Sequence, residues 1–302
     1  MNVIDLFCGC GGLSAGFTRA GYNILAAFDA WQPAIDTYNA NFDHEAVAFD
    51  LTDATNFVHH VKSLAIDMVI GGPPCQDFSS AGKRVEGERA NLTTAFSEIV
   101  TGIRPSFFVM ENVARAAKSD AYQEAKARFI DAGYGLTEMT LDASRCGVPQ
   151  ARKRFICVGH LGALEGFLEP FVGANLSSSK MTVRDYMADE LDIEHYYRHP
   201  RNYNRRGVYS VDEPAATIRG VSRPVPKGYK GHPKDTAPIS EAIRALSTYE
   251  RSRIQTFPPT FRWIGSKTDV EQMIGNAVPV DLAFFIASRL KEYRHSLVRR
   301  AA

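Results

Sequence analysis

The segment Gly71-Gly72-Pro73-Pro74-Cys75-Gln76 places a thiol directly after two prolines, at the end of an apolar run. Each proline fixes φ at about −65°, which restricts the backbone that carries the sulfur. A purely structural cysteine favours apolar burial and gains nothing from such a turn, so Cys75 reads as a nucleophile held ready. The polar stretch that follows, Phe78-Ser79-Ser80-Ala81-Gly82-Lys83, reads as a loop able to close over a substrate. Further along, Glu111-Asn112-Val113 ends the apolar run Phe107–Met110. A carboxyl group there can serve as an acid or hydrogen-bond partner once water is excluded. Gln150-Ala151-Arg152-Lys153-Arg154 leads into another apolar run. Strand alternation would project Arg152 and Arg154 to one face, where guanidinium groups suit planar carbonyl or anionic partners.

A second constellation points to a nucleoside-like ligand. Asp5-Leu6-Phe7-Cys8-Gly9-Cys10-Gly11-Gly12 turns from a strand into a helix, and its glycines let a ligand approach the backbone closely. A dinucleotide fingerprint would require glycine where Ser14 stands, which disfavours a nicotinamide cofactor. Asp29, after the second strand, is placed to accept hydrogen bonds from ribose hydroxyls, and Asp50 follows the third strand at the same edge. S-adenosylmethionine has a ribose and an adenine but no phosphates, so a glycine turn with nearby acids suits it.

Positioning these groups requires a sheet that brings them to one edge. Short apolar runs at Val3–Phe7, Asn23–Phe28, Ala65–Ile70, Ser106–Met110 and Arg154–Val158 alternate with helical patterns such as Leu13–Ala20 and Pro33–Asn41. That alternation predicts an α/β fold with a doubly wound, mostly parallel sheet, whose functional loops lie at the carboxyl ends of the strands. Near Gly173 the pattern changes to a stretch rich in Arg, Tyr, Pro and Gly. We expect a main domain of residues 1–176 plus 269–302, with a small loop-rich domain at 177–268. The apolar stripe Leu282, Phe285, Ile286 and Leu290 would return the last helix to the main domain.

Bulk properties narrow the class. The chain has 302 residues, 45% apolar and 23% charged, enough for a full core. No run of eighteen apolar residues offers a membrane span. Five cysteines, odd in number and widely spread, argue against a disulfide framework and for a reducing cytoplasm. Cys8 and Cys10 lack the spacing and histidines of a zinc site, so no metal is expected. Net charge is only +1, yet Tyr196–Lys234 contains nine Arg and Lys residues against Asp212 and Glu213. A local surplus of this kind suits a nucleic-acid face.

In order and spacing, these motifs resemble the cytosine-C5 DNA methyltransferase family from end to end. Asp5–Gly12 is similar to its cofactor loop, Pro73-Pro74-Cys75-Gln76 to its catalytic loop, and Glu111-Asn112-Val113 to its catalytic acid motif. Gln150-x-Arg152-x-Arg154 resembles its base-stabilising motif. Arg244-x-Leu246-Ser247-x-x-Glu250, followed by Gln255-Thr256-Phe257-Pro258, resembles the segment that organises its target recognition domain. Gly275-Asn276-Ala277-Val278-Pro279 resembles its closing cofactor motif, and Thr217-Ile218 the Thr-aliphatic pair of its recognition domain. Two positions depart from the family pattern. Asp29 replaces the more usual Glu, and Ala30 replaces a common aromatic, with Trp31 one step later.

The resemblance implies methyl transfer from S-adenosylmethionine to C5 of a flipped-out cytosine in duplex DNA. The Cys75 thiolate would add to C6, making C5 nucleophilic, and would leave by β-elimination after the C5 proton is removed. It implies Cys75, Glu111, Arg152 and Arg154 as catalytic residues, with Glu111 at N3 and Arg154 at O2. It implies Phe7, Gly9, Gly11, Gly12, Asp29, Trp31, Asp50, Pro73, Leu92, Asn276 and Ala277 at the cofactor. DNA contacts are expected from Gln76, Ser79, Ser80, Lys83, Arg84 and Gln150, and from Arg205, Arg206, Thr217, Arg219, Arg223 and Lys227. Among the cations of the small domain, Arg219 is the first candidate for a groove contact. The short recognition segment suggests a monomeric, stand-alone bacterial or phage enzyme, the modification partner of a restriction enzyme. The same motifs also fit a tRNA methyltransferase of a related branch, or a catalytically silent DNA-binding relative.

Overall fold

The computed structural model describes residues 1–74, 91–200, 202 and 204–301. Its first half alternates strand and helix: β1 (Asn2–Leu6), α1 (Gly12–Arg19), β2 (Asn23–Asp29), α2 (Gln32–Asn39), β3 (Ala46–Ala48), α3 (Ala54–His60) and β4 (Met68–Gly71). Then come α4 (Asn91–Ile103), β5 (Phe107–Val113), α5 (Asp120–Asp131), β6 (Tyr134–Asp142), β7 (Gln150–Ala151) and β8 (Lys153–Leu161). The seven-stranded sheet has the order β3-β2-β1-β4-β5-β8-β6. Strands β1 to β5 pair in parallel, whereas β8 runs antiparallel to both β5 and β6. The expected doubly wound, mostly parallel sheet is therefore present, with one reversed strand.

Neighbouring residues on each strand face opposite sides of this sheet, and both sides are buried. Val3, Ile70, Val109 and Val158 face one layer with Phe17, Leu282, Ile286 and Leu290. Ile4, Val69, Phe108 and Cys157 face the other with Phe57, Phe96 and Phe129. Such strands read as continuous apolar runs, which is why the sequence located most of them. The edge strand β6 gave no comparable signal, because Thr137, Glu138 and Thr140 interrupt its apolar residues.

The rest of the chain is built from short pieces: α6 (Glu169–Gly173), α7 (Val183–Met187), β9 (His195–Tyr197), β10 (Val208–Ser210), β11 (Ala215–Ala216), β12 (Arg244–Ala245) and α8 (Thr248–Ile254). The helices α9 (Lys267–Asn276) and α10 (Val280–Ala301) complete it. Capping boxes start α7 at Thr182/Asp185, α8 at Ser247/Glu250 and α9 at Ser266/Asp269, satisfying backbone donors that each helix start exposes. Strands β10, β9 and β12 form a small sheet, and β11 pairs in parallel with β7, next to the catalytic sheet. A third core cluster joins Tyr196, Ile218 and Phe257 to Cys10, Ala34 and Val280. The apolar helical stretch within 267–299 is core: 61% of its most apolar window is buried inside the fold.

The N- and C-terminal parts of the main layer meet closely. At Gly12, an added Cβ would stand 2.1 Å from the Val278 carbonyl oxygen, so only glycine allows the two backbones to approach. The neighbour is backbone and cannot rotate away. Gly12→Ala should therefore destabilise the fold by about 3 kcal/mol, the upper part of the range for overpacking. A urea denaturation midpoint unchanged from that of the unmodified protein would show that this junction opens freely.

Candidate active site

The loops after β1, β2 and β3 lie side by side at the carboxyl edge of the sheet. Asp29 stitches two of them together: Gly9 N–H donates to Asp29 Oδ2 and Trp31 N–H to Oδ1, each at 2.8 Å. Phe7 and Gly9 adopt positive φ, 55° and 53°, which folds the loop back over the strand end. Nothing lies within 4 Å of the position a Gly9 Cβ would occupy, so a ligand can approach that backbone. Asp50 is exposed, and one of its oxygens accepts bonds from the Thr52 N–H and hydroxyl. Trp31 is half-buried and Asn276 exposed. Among the described residues, these loops bear acids and an indole and no cation, which fits a nucleoside with a positive group. S-adenosylmethionine has that chemistry.

Other residues expected at the cofactor have contacts of their own within the fold. Gly12 is required by its contact with Val278, and the Ala277 carbonyl accepts hydrogen bonds from Arg152 and Gln255. Leu92 is half-buried in the first turn of α4.

Pro73, Glu111, Asn112 and Arg154 meet between the ends of β4, β5 and β8. Strand β5 continues through Val113, so Glu111 sits inside the sheet opposite Ile156, not beyond the strand end as the sequence suggested. Because β8 is antiparallel, its first residues lie beside the last residues of β5, and Arg154 Nε comes within 2.8 Å of Glu111 Oε1. Burial pushes the Glu111 carboxyl above the usual range, and the nearby Arg154 and Arg152 guanidinium groups pull it partly back. Asn112 donates from Nδ2 to the Pro73 carbonyl at 3.1 Å, holding the proline turn against this strand. A Cβ on Gly72 would stand only 3.4 Å from Glu111 Oε2, so the turn leading to the thiol passes directly by the acid. The positions assigned to Cys75, Gln76, Ser79, Ser80, Lys83 and Arg84 lie outside the described residues.

Two residues of the Gln150–Arg154 motif turn away from this site. Arg152 is 1% exposed, and it precedes β8 instead of sharing the strand face of Arg154. Its Nη1 donates to the Ile218 carbonyl, and its Nη2 to the Gly275 and Ala277 carbonyls. Gln150 is fully buried: it donates to Gln255 Oε1 at 2.6 Å and accepts from Ile218 N–H at 2.9 Å. The expected DNA contact from Gln150 is thus corrected, since its amide is spent inside the protein.

The basic segment divides in a similar way. Arg206 forms an ion pair with Glu213 at 2.6 Å and lies over the Tyr209 ring. Arg219 donates to the His199 carbonyl, and the Thr217 hydroxyl to the Ala151 carbonyl. Arg206 and Arg219 thus have partners within the small segment, and Thr217 ties that segment to β7. Arg205, Arg223 and Lys227 are exposed.

The fold and the site together define a cytosine-C5 DNA methyltransferase. The model of the family described as C-5 cytosine-specific DNA methylase matches residues 1–292, and the chain belongs to that family. It is a DNA cytosine-5 methyltransferase that uses S-adenosylmethionine. The chain is 53% identical over 301 residues to the type II methyltransferase M.HindV of Haemophilus influenzae, covering 99% of both proteins. It is 52% identical to the type II methyltransferase M.HgiDI of Herpetosiphon aurantiacus, covering 97% of this chain and 95% of that protein. Among solved structures, the Dnmt2 methyltransferase of S. pombe shares the fold with a TM-score of 0.72 at 18% identity, covering 97% of this chain and 98% of that one.

Beneath the cofactor loop lies a polar chain the sequence did not disclose. The Ser14 hydroxyl donates to Asp5 Oδ2 at 2.7 Å, the Tyr38 hydroxyl donates to Ser14 Oγ at 2.6 Å, and His44 Nε2 lies 2.6 Å from the Tyr38 oxygen. Burial pushes the Asp5 carboxyl up to about 7. Unfolded, the same group would ionise near 3.8. The stability it contributes is therefore fully present below the lower value and lost as pH rises toward the higher one. Asp5→Asn should flatten that part of the pH–stability profile, as read from urea midpoints at about pH 4.5 and about pH 8. Parallel profiles for both proteins would remove Asp5 as the source.

Proposed function

We propose that the chain is a type II modification methyltransferase that acts as a monomer on a specific duplex sequence, with Cys75 as nucleophile. The observation that supports this most directly is the Glu111–Arg154 ion pair beside the Asn112-anchored proline turn. Cys75 follows that turn immediately in the chain. The type II assignment takes up the description of relatives more than 50% identical over nearly their full length. In a bacterial cytoplasm the buried thiols Cys8, Cys10, Cys146 and Cys157 would remain reduced.

Cytosine C5 is a poor nucleophile until a group adds to C6. The Cys75 thiolate forms that bond, and electron density moves toward N3 and O2 of the base. Glu111, whose burial favours its protonated form, supplies a proton or hydrogen bond at N3. Arg154, paired with Glu111, would hold O2, so that both groups act where charge develops. S-adenosylmethionine supplies the electrophilic methyl group that C5 takes up. Removal of the C5 proton then expels Cys75 and restores the aromatic ring. These groups cannot reach C5 and C6 inside a duplex, so the base is extruded, at a cost of a few kcal/mol that DNA contacts must offset. Asp29, braced by the Gly9 and Trp31 N–H groups, would hold the ribose of the cofactor, and residues 177–268 would form the recognition domain.

A duplex carrying 5-fluorocytosine at the target should trap the enzyme, because fluorine cannot leave C5 as a proton does. The adduct should require S-adenosylmethionine, survive denaturing electrophoresis and map to the peptide containing Cys75. Cys75→Ser should lose both turnover and trapping, whereas Glu111→Gln should slow turnover by about 100-fold or more. Near-normal C5 methylation by folded Cys75→Ser protein would end the nucleophile assignment.

The exposed cations give a separate test. Replacing Arg205, Arg223 and Lys227 together by Ala should weaken binding to all duplexes and reduce the salt slope by about two to three units. An unchanged slope, measured by titration at several salt concentrations, would move the phosphate contacts elsewhere.

A further inference from the structure

The segment Thr217–Arg223 combines firm anchoring with an unexpected exposure. The Thr217 hydroxyl donates to the Ala151 carbonyl at 2.9 Å, and the Thr217 carbonyl accepts from Arg198 Nη2 at 2.7 Å. Ile218 N–H donates to Gln150 and its carbonyl accepts from Arg152, both residues being buried. The Arg219 carbonyl accepts from the buried Arg251, whose own partner is the buried Glu271. Gly220 then passes so close to Gly275 that a Cβ on Gly275 would stand 2.1 Å from Gly220 N. Immediately after this run of pins the chain presents Val221, 64% exposed.

One exposed apolar side chain is ordinary on a protein surface, but Val221 stands directly after backbone tied to buried groups and among exposed cations. Its surroundings are cationic, with Arg223 and Lys227 exposed on the same segment, so the complementary partner is a polyanion with an apolar spot. In the major groove, the C5 edge of a pyrimidine supplies such a spot among phosphates and polar base edges. Valine is too short to serve well as a wedge between stacked bases, for which longer or bulkier apolar side chains are used. We propose that Val221 is a specificity-determining residue that packs against the C5 edge of a pyrimidine in the recognised site. The adjacent Arg219, expected from sequence to enter the groove, instead directs a guanidinium nitrogen to the His199 carbonyl and supports this loop.

This inference rests on the reading of the chain as sequence-specific for duplex DNA. It is tested by measuring methylation rates on a library of duplexes randomised around a cytosine. Val221→Ser should reduce discrimination at one pyrimidine position by about 5- to 10-fold, as expected for loss of a small apolar contact. Preferences elsewhere and S-adenosylhomocysteine affinity should be retained, and Val221→Ile should keep the discrimination. A structured profile for the unmodified protein that Val221→Ser leaves unaltered would overturn the assignment of Val221 alone. A flat profile for the unmodified protein would overturn the sequence-specific reading and this inference with it. Loss of base extrusion, followed by 2-aminopurine fluorescence, with discrimination intact would also overturn it, making Val221 a wedge instead.

Discussion

A guanidinium group with almost no access to water holds three parts of this enzyme in register. Arg152 leaves the corner between β7 and β8 and reaches the carbonyls of Ile218, Gly275 and Ala277. Burying such a charge costs several kcal/mol unless its donors are met; three backbone carbonyls take bonds from its terminal nitrogens, while the buried Nε has no partner. Gln150 and Gln255 extend the same junction with a bond between their amides. The segment at Ile218, the turn at Gly275–Ala277 and the edge of the seven-stranded sheet therefore share one polar anchor. Movement of one of them would leave a buried donor unmet, so the three keep a fixed relation.

The second constraint is the reversed strand. A parallel strand beside β5 would bring its last residues to the functional edge. Running antiparallel, β8 brings its first residues there, and Arg154 meets Glu111 across the strand pair. Acid and cation come from segments 43 positions apart in the chain, yet the register of one ladder fixes their separation. The site is thus set by sheet hydrogen bonding, which is stiffer than a loop.

Much of this was legible in the sequence, for physical reasons. The apolar runs buried on both faces of the sheet announce themselves without any need for alternation, and the turns after β1 and β4 carry residue types that ordinary turns do not need. Motif resemblance then supplied the chemistry. What the sequence could not show is what each polar side chain meets. Gln150 and Arg206 look like surface groups when only their types are known, and only the fold reveals Gln255 and Glu213 opposite them. Charge pattern located the basic segment but could not separate cations already neutralised from those left for a partner. Likewise, the exposed Val221 stands directly after backbone tied to buried groups, which no local pattern encodes.

The contact between Gly12 and Val278 has a meaning for how the enzyme comes into being. Synthesis runs from the N- to the C-terminus, so the turn at Gly12 is made long before Val278, which closes on it. Helix α1 likewise waits for α10 to cover its apolar face. Synthesis thus assembles the sheet and the recognition segment before the cofactor loop gains its final support. A chain that stops before Val278 has the segments from Asp5 to Arg154 but lacks that support.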